Sequence, residues 1–327
     1  MRRKPDPFGR DAVGPFNIPF RGWWQVSKRV FIKSFRDNFS VVAAGCAFFA
    51  LFAVFPVLSA LLSLYSLVSE PSHVEQQFQM LSLLLPPQAY DVVIAQIHRL
   101  EEASNPTLGW SLFISLTLAL WSASSGVQAM LMALNVAYEE KERRGFVQYY
   151  LSVFAVTVAG ILGGLVVLLA LVYLPLFFAS VGASDLFESL AKILRWPLLA
   201  VMVLFLLALL YRVGPCRRSA KWRWVSVGSL FATGVWLCAS ALFSLYVSHV
   251  ANYDRFYGSL GAVVILLFWL YLTFYIVLVG AGINAELELQ TAEDTTIGAP
   301  KPIGHRGAFV ADHVAGGPHD ALLRRRS

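Results

Sequence analysis

Six long apolar segments dominate this chain of 327 residues and restrict what it can fold into. A helix needs about 20 mostly apolar residues to cross a bilayer. The segments that meet this requirement are 40–68, 108–134, 149–174, 195–213, 225–249 and 259–283. Charged residues make up only 14% of the chain, against about 25% in soluble domains. The sequence therefore predicts an all-α, polytopic membrane protein with six transmembrane helices.

The basic residues predict how these helices are oriented. Of the 26 Lys and Arg residues, 22 lie on the side of the predicted membrane that holds both termini, and 4 lie on the other side. By the positive-inside rule, both termini face the cytoplasm. Three parts follow: a cytoplasmic arm over 1–38, a transmembrane domain over 39–290 and a cytoplasmic tail over 291–327. Pro56 lies inside the first span and is expected to kink it.

Two amphipathic or basic segments outside the spans are expected to contact lipid headgroups. Residues 21–37 predict an interfacial helix on anionic lipid, which we favour over a nucleic-acid-binding arm. Its apolar arc holds Trp23, Trp24, Val26, Val30, Phe31 and Phe35, and its basic arc holds Lys28, Arg29, Lys33 and Arg36. The expected headgroup and topology anchors are Trp23, Trp24, Lys28, Arg29, Arg217, Arg218, Trp222 and Arg223.

The remaining segments outside the spans differ in character. Residues 69–107 form the largest extracytoplasmic loop, and their helical spacing of apolar residues predicts two amphipathic helices. The tail over 291–327 is polar and predicted to be disordered. Its histidines, His305, His313 and His319, have no recognised metal spacing and are expected to be flexible.

No ionisable residue lies deep in any of the six apolar segments. Ion-coupled pumps usually hold such groups at membrane depth, so their absence argues against proton-coupled transport through a buried carboxylate. The chain also lacks a GxxxxGK[ST] nucleotide-binding loop and a CxxC metal pattern. We expect no catalytic residue, no metal site and no cofactor.

Small and polar residues in the second and third spans favour helix packing. Ser122, Ser125 and Gln128 share one helical face, with Gly126 beside them, and could instead line a substrate path. We favour packing, because serines in lipid-buried helices can bond to their own backbone. The Gly160-x-x-x-Gly164 pattern in the third span fits helix contact within the bundle or in a homo-oligomer.

The stretch GAGINAELELQ, residues 280–290, places polar residues at the predicted cytoplasmic end of the sixth span. Carboxylates near a helix C-terminus are disfavoured by its dipole, so at least one of Glu286 and Glu288 should have a basic partner, or the helix should run on past Glu288. We expect such partners among Arg143, Arg144 and Arg212. The two glutamates point in different directions, which argues against a catalytic dyad. The residues of this clamp or gate are Asn135, Glu139, Arg212, Asn284, Glu286 and Glu288, and we favour the clamp.

Four stretches of the chain resemble a known family. They are AAGCAFFALFAVFPVLSALLSL at 43–64, LWSASSGVQAMLMALNVAYEE at 120–140, YRVGPCRRSAKWRWVSVGSLFATGVWLCASALFSLYV at 211–247 and YGSLGAVVILLFWLYLTFYIVLVGAGINAELE at 257–288. Together they resemble the YihY/BrkB proteins, also labelled virulence factor BrkB or ribonuclease BN-like. The resemblance implies a six-helix bundle in the bacterial inner membrane and a link to envelope lipid traffic.

These features favour a transporter or flippase-like protein for a lipid or another amphiphile. The alternative is a structural or scaffold membrane protein without a substrate. A membrane ribonuclease is the least favoured function, because no His outside the tail lies on the cytoplasmic side to serve as acid or base. We therefore expect no enzyme activity, membrane lipids as partners and no nucleic acid.

Overall fold

The computed structural model describes residues 6–66, 108–180, 185–249 and 261–316, and in parts of some helices it describes only the backbone. A short 3-10 helix, Pro15–Asn17, precedes the α-helices. These are α1 (Phe20–Arg36), α2 (Phe39–Ser66), α3 (Leu108–Ala137), α4 (Phe146–Ser180), α5 (Asp185–Val213), α6 (Trp222–His249), α7 (Gly261–Gln290) and α8 (Phe309–Asp312). The described residues form no strand, only an isolated bridge between Ala220 and Thr296. The all-α prediction is confirmed.

Each predicted span overlaps one of the helices α2 to α7. Within the described residues, three helical stretches are long and apolar enough to cross a membrane: Phe146–Gly164, Trp222–Val247 and Val263–Gln290. The bent pair α1 and α2 would add a fourth if it is one span. The predicted count of six spans and the orientation of the termini stay predictions.

Helix α7 lies at the centre of the bundle, in contact with α1, α2, α3 and α6. Hydrogen bonds also join α7 to α5 and α6. The Tyr211 hydroxyl of α5 donates to the Val277 carbonyl at 2.8 Å, and the Trp236 indole of α6 donates to the Thr273 hydroxyl at 3.1 Å. Helices α6 and α7 also touch through glycines. A Cβ on Gly228 would clash with the Gly280 carbonyl oxygen, so only glycine permits this backbone approach.

A sharp bend separates α1 from α2. The two helix axes differ by 63°, and Asn38, between them, has a φ of +50°. Asparagine tolerates this left-handed conformation better than most residues, which explains a break at this position. Helix α2 continues through Pro56 without interruption, and the kink predicted there stays a prediction.

The tail differs from the prediction of disorder across residues 291–316, which pack against the bundle. Arg306 is buried and donates to the carbonyls of Ala292, Glu293, Lys301 and Ala311 at 2.7–3.0 Å. The Asp312 carboxylate accepts three backbone N–H groups, from Gly304, Arg306 and Gly307. The polar composition alone suggested disorder. Arg306 and Asp312 instead provide hydrogen-bond partners for backbone groups that would otherwise bond to water. The loop 69–107 and His319 lie outside the described residues.

Candidate functional site

One end of the bundle holds a dense group of buried polar side chains. This polar end is where α2 and α6 begin and where α3, α5 and α7 finish. Asn284, Glu286 and Glu288, in the last turns of α7, have only 0%, 4% and 0% of their surface exposed. With their partners they form the polar cluster: Arg29, Lys33, Asn135, Glu139, Arg217, Asn284, Glu286 and Glu288. The two α7 glutamates turn to different partners, as the helical geometry predicts.

Glu288 forms a buried, two-pronged ion pair with Arg217 of the loop between α5 and α6. The guanidinium nitrogens lie 2.7 and 3.1 Å from the two carboxylate oxygens, and neither side chain exceeds 1% exposure. The Thr295 hydroxyl of the tail donates to the same carboxylate at 2.6 Å, and the Tyr138 ring lies 5.0 Å from the guanidinium carbon. Burial would lower the pKa of Arg217, but Glu288 raises it above its ordinary value. The guanidinium of Arg217 therefore keeps its charge.

Glu286 points to the opposite side and binds α1. Arg29 Nε lies 2.6 Å from its carboxylate and Lys33 Nζ lies 3.6 Å from it. Lys33 also contacts Glu139, at 2.7 Å. Arg29 adds bonds to the Glu286 carbonyl and the Gln290 side chain at 3.0 and 2.8 Å. These contacts join α1, α7 and the end of α3 through charge-assisted hydrogen bonds.

The structure corrects the predicted partners of the two glutamates. Arg212 instead donates to the Ala220 carbonyl at 3.2 Å and stacks 4.4 Å over Trp222. Arg144 pairs with Glu142 at 2.8 Å, and the Arg143 backbone N–H donates to the Cys216 sulfur. The true partners were expected to be headgroup anchors (Arg29 and Arg217) or part of the basic arc (Lys33). The missed signal is the i, i+4 spacing of Arg29 and Lys33, which places both on one face of α1.

Two asparagines connect helix ends to neighbouring backbone. The Asn284 side chain accepts from the Gly228 N–H at 2.7 Å and donates to the Val225 carbonyl at 3.2 Å, which joins α7 to α6. The Asn135 side chain accepts from the Cys216 N–H at 2.7 Å and donates to Glu142 at 3.0 Å. Asn284 and Glu288 therefore tie α7 to α6 and to the loop that precedes it.

Glu139 and Glu140 lie side by side after α3 but have opposite pKa shifts. Burial raises the pKa of Glu139, but Lys33 and Arg36 outweigh it and leave the pKa below its ordinary value. Burial raises the pKa of Glu140 above its ordinary value, although the Phe309 N–H donates to it at 2.6 Å. Glu139 also has a φ of +56°, a conformation that is costly for a residue with a Cβ. Its two basic partners give a reason for a glutamate at this position.

The other predicted anchors divide into exposed and packed side chains. Trp24, Lys28, Trp222 and Arg223 are exposed. Trp23 is half-buried against the apolar cluster that contains the fully buried Trp224. Arg218 is half-buried beside the tail, where its backbone N–H donates to the Gly307 carbonyl.

The polar face of α3 matches the packing interpretation where contacts are described. The Ser125 hydroxyl donates to the Trp121 carbonyl of its own helix at 3.1 Å. A Cβ on Gly126 would lie 3.8 Å from the backbone of Ala50 in α2. Ser122 and Gln128 are half-buried. In α4, a Cβ on Gly160 or Gly164 would meet no atom of another described element within 4 Å, so this glycine pair makes no close helix contact among the described residues.

An apolar groove opens between α2 and α7. It has a volume of about 390 Å³, within the range of about 300–1,000 Å³ of typical ligand sites. Its walls are formed by Ala44, Ala47, Phe48, Val264, Leu267, Phe268 and Tyr271. The Tyr271 hydroxyl lies 2.8 Å from the Ser40 hydroxyl. The groove therefore combines apolar walls with one pair of hydroxyl groups. Residues 43–64, one of the stretches quoted above, contain its α2 wall, but their sequence gave no sign of a groove.

Among the residues that the structure describes, no three His, Cys, Asp or Glu side chains are grouped so that they could hold a metal ion. The ion pairs of the polar cluster and the apolar groove are thus the two features that distinguish this bundle.

An all-helical bundle with long apolar helices and interlocked charges at one end defines an integral membrane protein. The chain belongs to the virulence factor BrkB family, whose profile matches residues 30–303.

Curated relatives extend this assignment. The putative ribonuclease-like protein YfkH of Bacillus subtilis is 38% identical over 57% of this chain and 69% of its own length. The UPF0761 membrane protein IL2447 of Idiomarina loihiensis is 32% identical over 32% of this chain and 37% of its own length. The UPF0761 membrane protein PSHAa0171 of Pseudoalteromonas translucida is 31% identical over 41% of this chain and 43% of its own length. No solved structure matches this chain.

Proposed function

We propose that this protein is a transporter or flippase-like protein of the bacterial inner membrane that handles a lipid or another amphiphile. The observation that supports the proposal is the groove between α2 and α7. Its walls suit an acyl chain, because the lining side chains are almost wholly apolar. A substrate in this groove would enter sideways from the bilayer, since both wall helices belong to apolar segments of membrane-spanning length.

The polar end supports the same assignment, because its glutamates are already paired with basic side chains. Glu286 and Glu288 are both held by basic side chains, so neither is free to bind a coupling cation without first breaking an ion pair. We therefore propose a substrate path along the surface of the bundle beside α2 and α7. The polar cluster serves as a clamp that keeps the helix ends fixed.

The test is lipid translocation in proteoliposomes that contain the full chain, followed with fluorescent phospholipids and a membrane-impermeant quencher. Ala44→Trp fills the groove from an exposed position of α2. Gly45→Trp is the matched control, because a Cβ on Gly45 would meet no atom within 4 Å. We expect translocation above that of protein-free vesicles, reduced at least fivefold by Ala44→Trp and unchanged by Gly45→Trp. Rates equal to those of protein-free vesicles across a broad lipid panel would overturn transport. An equal effect of both variants would overturn the assignment of the groove.

A structural or scaffold role is the second candidate, and the interlocked polar cluster favours it. That role requires partners but no substrate, so it predicts no translocation and no effect of Ala44→Trp. The proposal also treats the chain as a non-enzyme, although the Bacillus relative's name contains the words ribonuclease-like. RNA incubated with the same purified protein is expected to stay intact.

A further inference from the structure

The exposed face of α1 is a second surface, separate from the groove. Four aromatic side chains on it are almost fully in the open: Phe20 (84% exposed), Trp24 (68%), Phe31 (66%) and Phe35 (68%). At about 100° per residue, they span only about 60° of the helix circumference. The opposite face carries Val26 and Val30 into the core. The single apolar arc expected from the sequence is therefore two arcs, one for the protein and one facing outward.

Basic residues flank the aromatic arc, and acidic residues are absent from α1. Lys28 and Arg21 are exposed beside the aromatics, and the sequence of α1 contains no Asp or Glu. Arg29 and Lys33 are turned inward onto Glu286 and Glu139 and do not contribute to this surface. The outward face therefore combines aromatic rings with positive charge, a composition typical of helices at the boundary between headgroups and acyl chains.

The position of α1 specifies the occupant of this face. Helix α2 begins three residues after α1 ends, and the two helices are bent by 63°. When α2 enters the bilayer, two linking residues cannot carry α1 away from the membrane surface. We propose that α1 lies in the membrane interface, with its aromatic arc among the lipids and with Arg21 and Lys28 binding the phosphate groups of anionic phospholipids. Because Arg29 and Lys33 project from the other face, the helix also joins the lipid surface to the polar cluster.

The first test measures lipid contact at Trp24. The full chain is reconstituted with phospholipids brominated on their acyl chains, and tryptophan fluorescence is compared between the wild type and Trp24→Phe. Bromine quenches only nearby rings, so we expect the wild type to lose a larger fraction of its fluorescence than the variant. Equal quenched fractions would overturn the proposal. A disulfide-linked dimer of the Trp24→Cys variant, found in place of lipid quenching, would also overturn it, because it would assign this face to a second copy of the chain.

The second test measures preference for anionic lipid. Detergent-solubilised full chain is titrated with phosphatidylglycerol or phosphatidylcholine, and the rise in Tm gives an apparent affinity. Lys28→Gln is expected to weaken the affinity for phosphatidylglycerol about fivefold, in line with the usual effect of one basic residue at a membrane surface. Lys301→Gln, the same change at an exposed lysine of the tail, is the matched control and should have no effect. Equal Tm rises with both lipids, or equal losses in both variants, would overturn anionic lipid binding by α1.

Discussion

The polar end and the groove contrast within one bundle. At the polar end, charged side chains from α1, α7 and the loop before α6 are buried and paired at distances near 2.7 Å. In the groove between α2 and α7, small and aromatic side chains leave about 390 Å³ unfilled. Helix α7 takes part in both regions. The difference suggests a bundle that is fixed at one end and adaptable along its length.

Moving side chains costs more free energy at the polar end than in the groove. Separating a buried ion pair leaves charges without water or partner, at about 3–5 kcal/mol. Refilling an apolar groove changes only contact area, at about 25 cal/mol for each Å² of apolar surface. Under the proposed transport function, movements are therefore expected at the groove and not at the polar cluster.

The largest expected effect comes from breaking the Arg217–Glu288 pair. Glu288→Gln leaves the Arg217 cation buried and unpaired, and it should lower the free energy of unfolding by about 3–5 kcal/mol. Arg217→Met should cost less, because the charge that Glu288→Gln leaves unpaired belongs to an arginine, which cannot be deprotonated in proteins. Thermal unfolding in detergent measures both effects.

The matched control for this prediction is the double variant Arg217→Met with Glu288→Gln, which removes both charges and keeps an acceptor for Thr295. It should be more stable than Glu288→Gln alone, since no unpaired charge remains buried. Losses that simply add would show that the two side chains are not coupled, and would contradict the clamp. In the groove, Ala44→Trp should leave Tm nearly unchanged.

A smaller and more local effect is expected from the tail. Arg306 holds residues 291–316 in place through its bonds to four backbone carbonyls. Arg306→Ala leaves these carbonyls without their charged donor, which should destabilise the tail by about 2–3 kcal/mol. We expect faster proteolysis within 291–316 and little change in the melting of the helices. Lys301→Ala, at an exposed position, is the control. A joint loss of tail and bundle stability would contradict a separately packed tail.

The parts of the fold that depend on local composition could be predicted from the sequence, and the parts that depend on tertiary contacts could not. Apolar segments of membrane-spanning length predicted α2 to α7, because local composition controls whether a helix is buried in lipid. The amphipathic pattern predicted α1 as well. It could not identify which face of α1 meets the protein, because apolar residues occur on both sides and the basic residues divide between them. That choice is made by Glu286 and Glu139, which are more than 100 residues away in the chain.

The partners at the polar end were beyond prediction for a related reason. The expectation that at least one of Glu286 and Glu288 has a basic partner follows from the helix dipole, and both glutamates form ion pairs. Their identity depends on how α1 and the loop before α6 pack against α7, a tertiary property. The tail illustrates the same limit: its polar composition indicates disorder, but Arg306 and Asp312 provide internal partners for the backbone.

The smallest expected effect is a difference between Glu139 and Glu140 in how each contributes to stability as pH changes. The pKa of Glu139 is lowered from its ordinary 4.5 by Lys33 and Arg36, against the effect of burial, so its contribution is present above pH 4.5 and is lost as pH falls through the lowered value. Burial raises the pKa of Glu140 above 4.5, so ionising it costs stability at neutral pH. That cost falls as pH drops through the raised value, and it is gone below 4.5. Glu139→Gln should therefore lower stability at pH 7 by about 1 kcal/mol, allowing for the exposure of Arg36 and the partial exposure of Glu139 itself. Glu140→Gln keeps an acceptor for the Phe309 N–H and should be neutral or stabilising at pH 7. Tm measured from pH 7 to pH 4 in the wild type and both variants tests this, and it is contradicted if the two variants shift Tm in the same direction at pH 7.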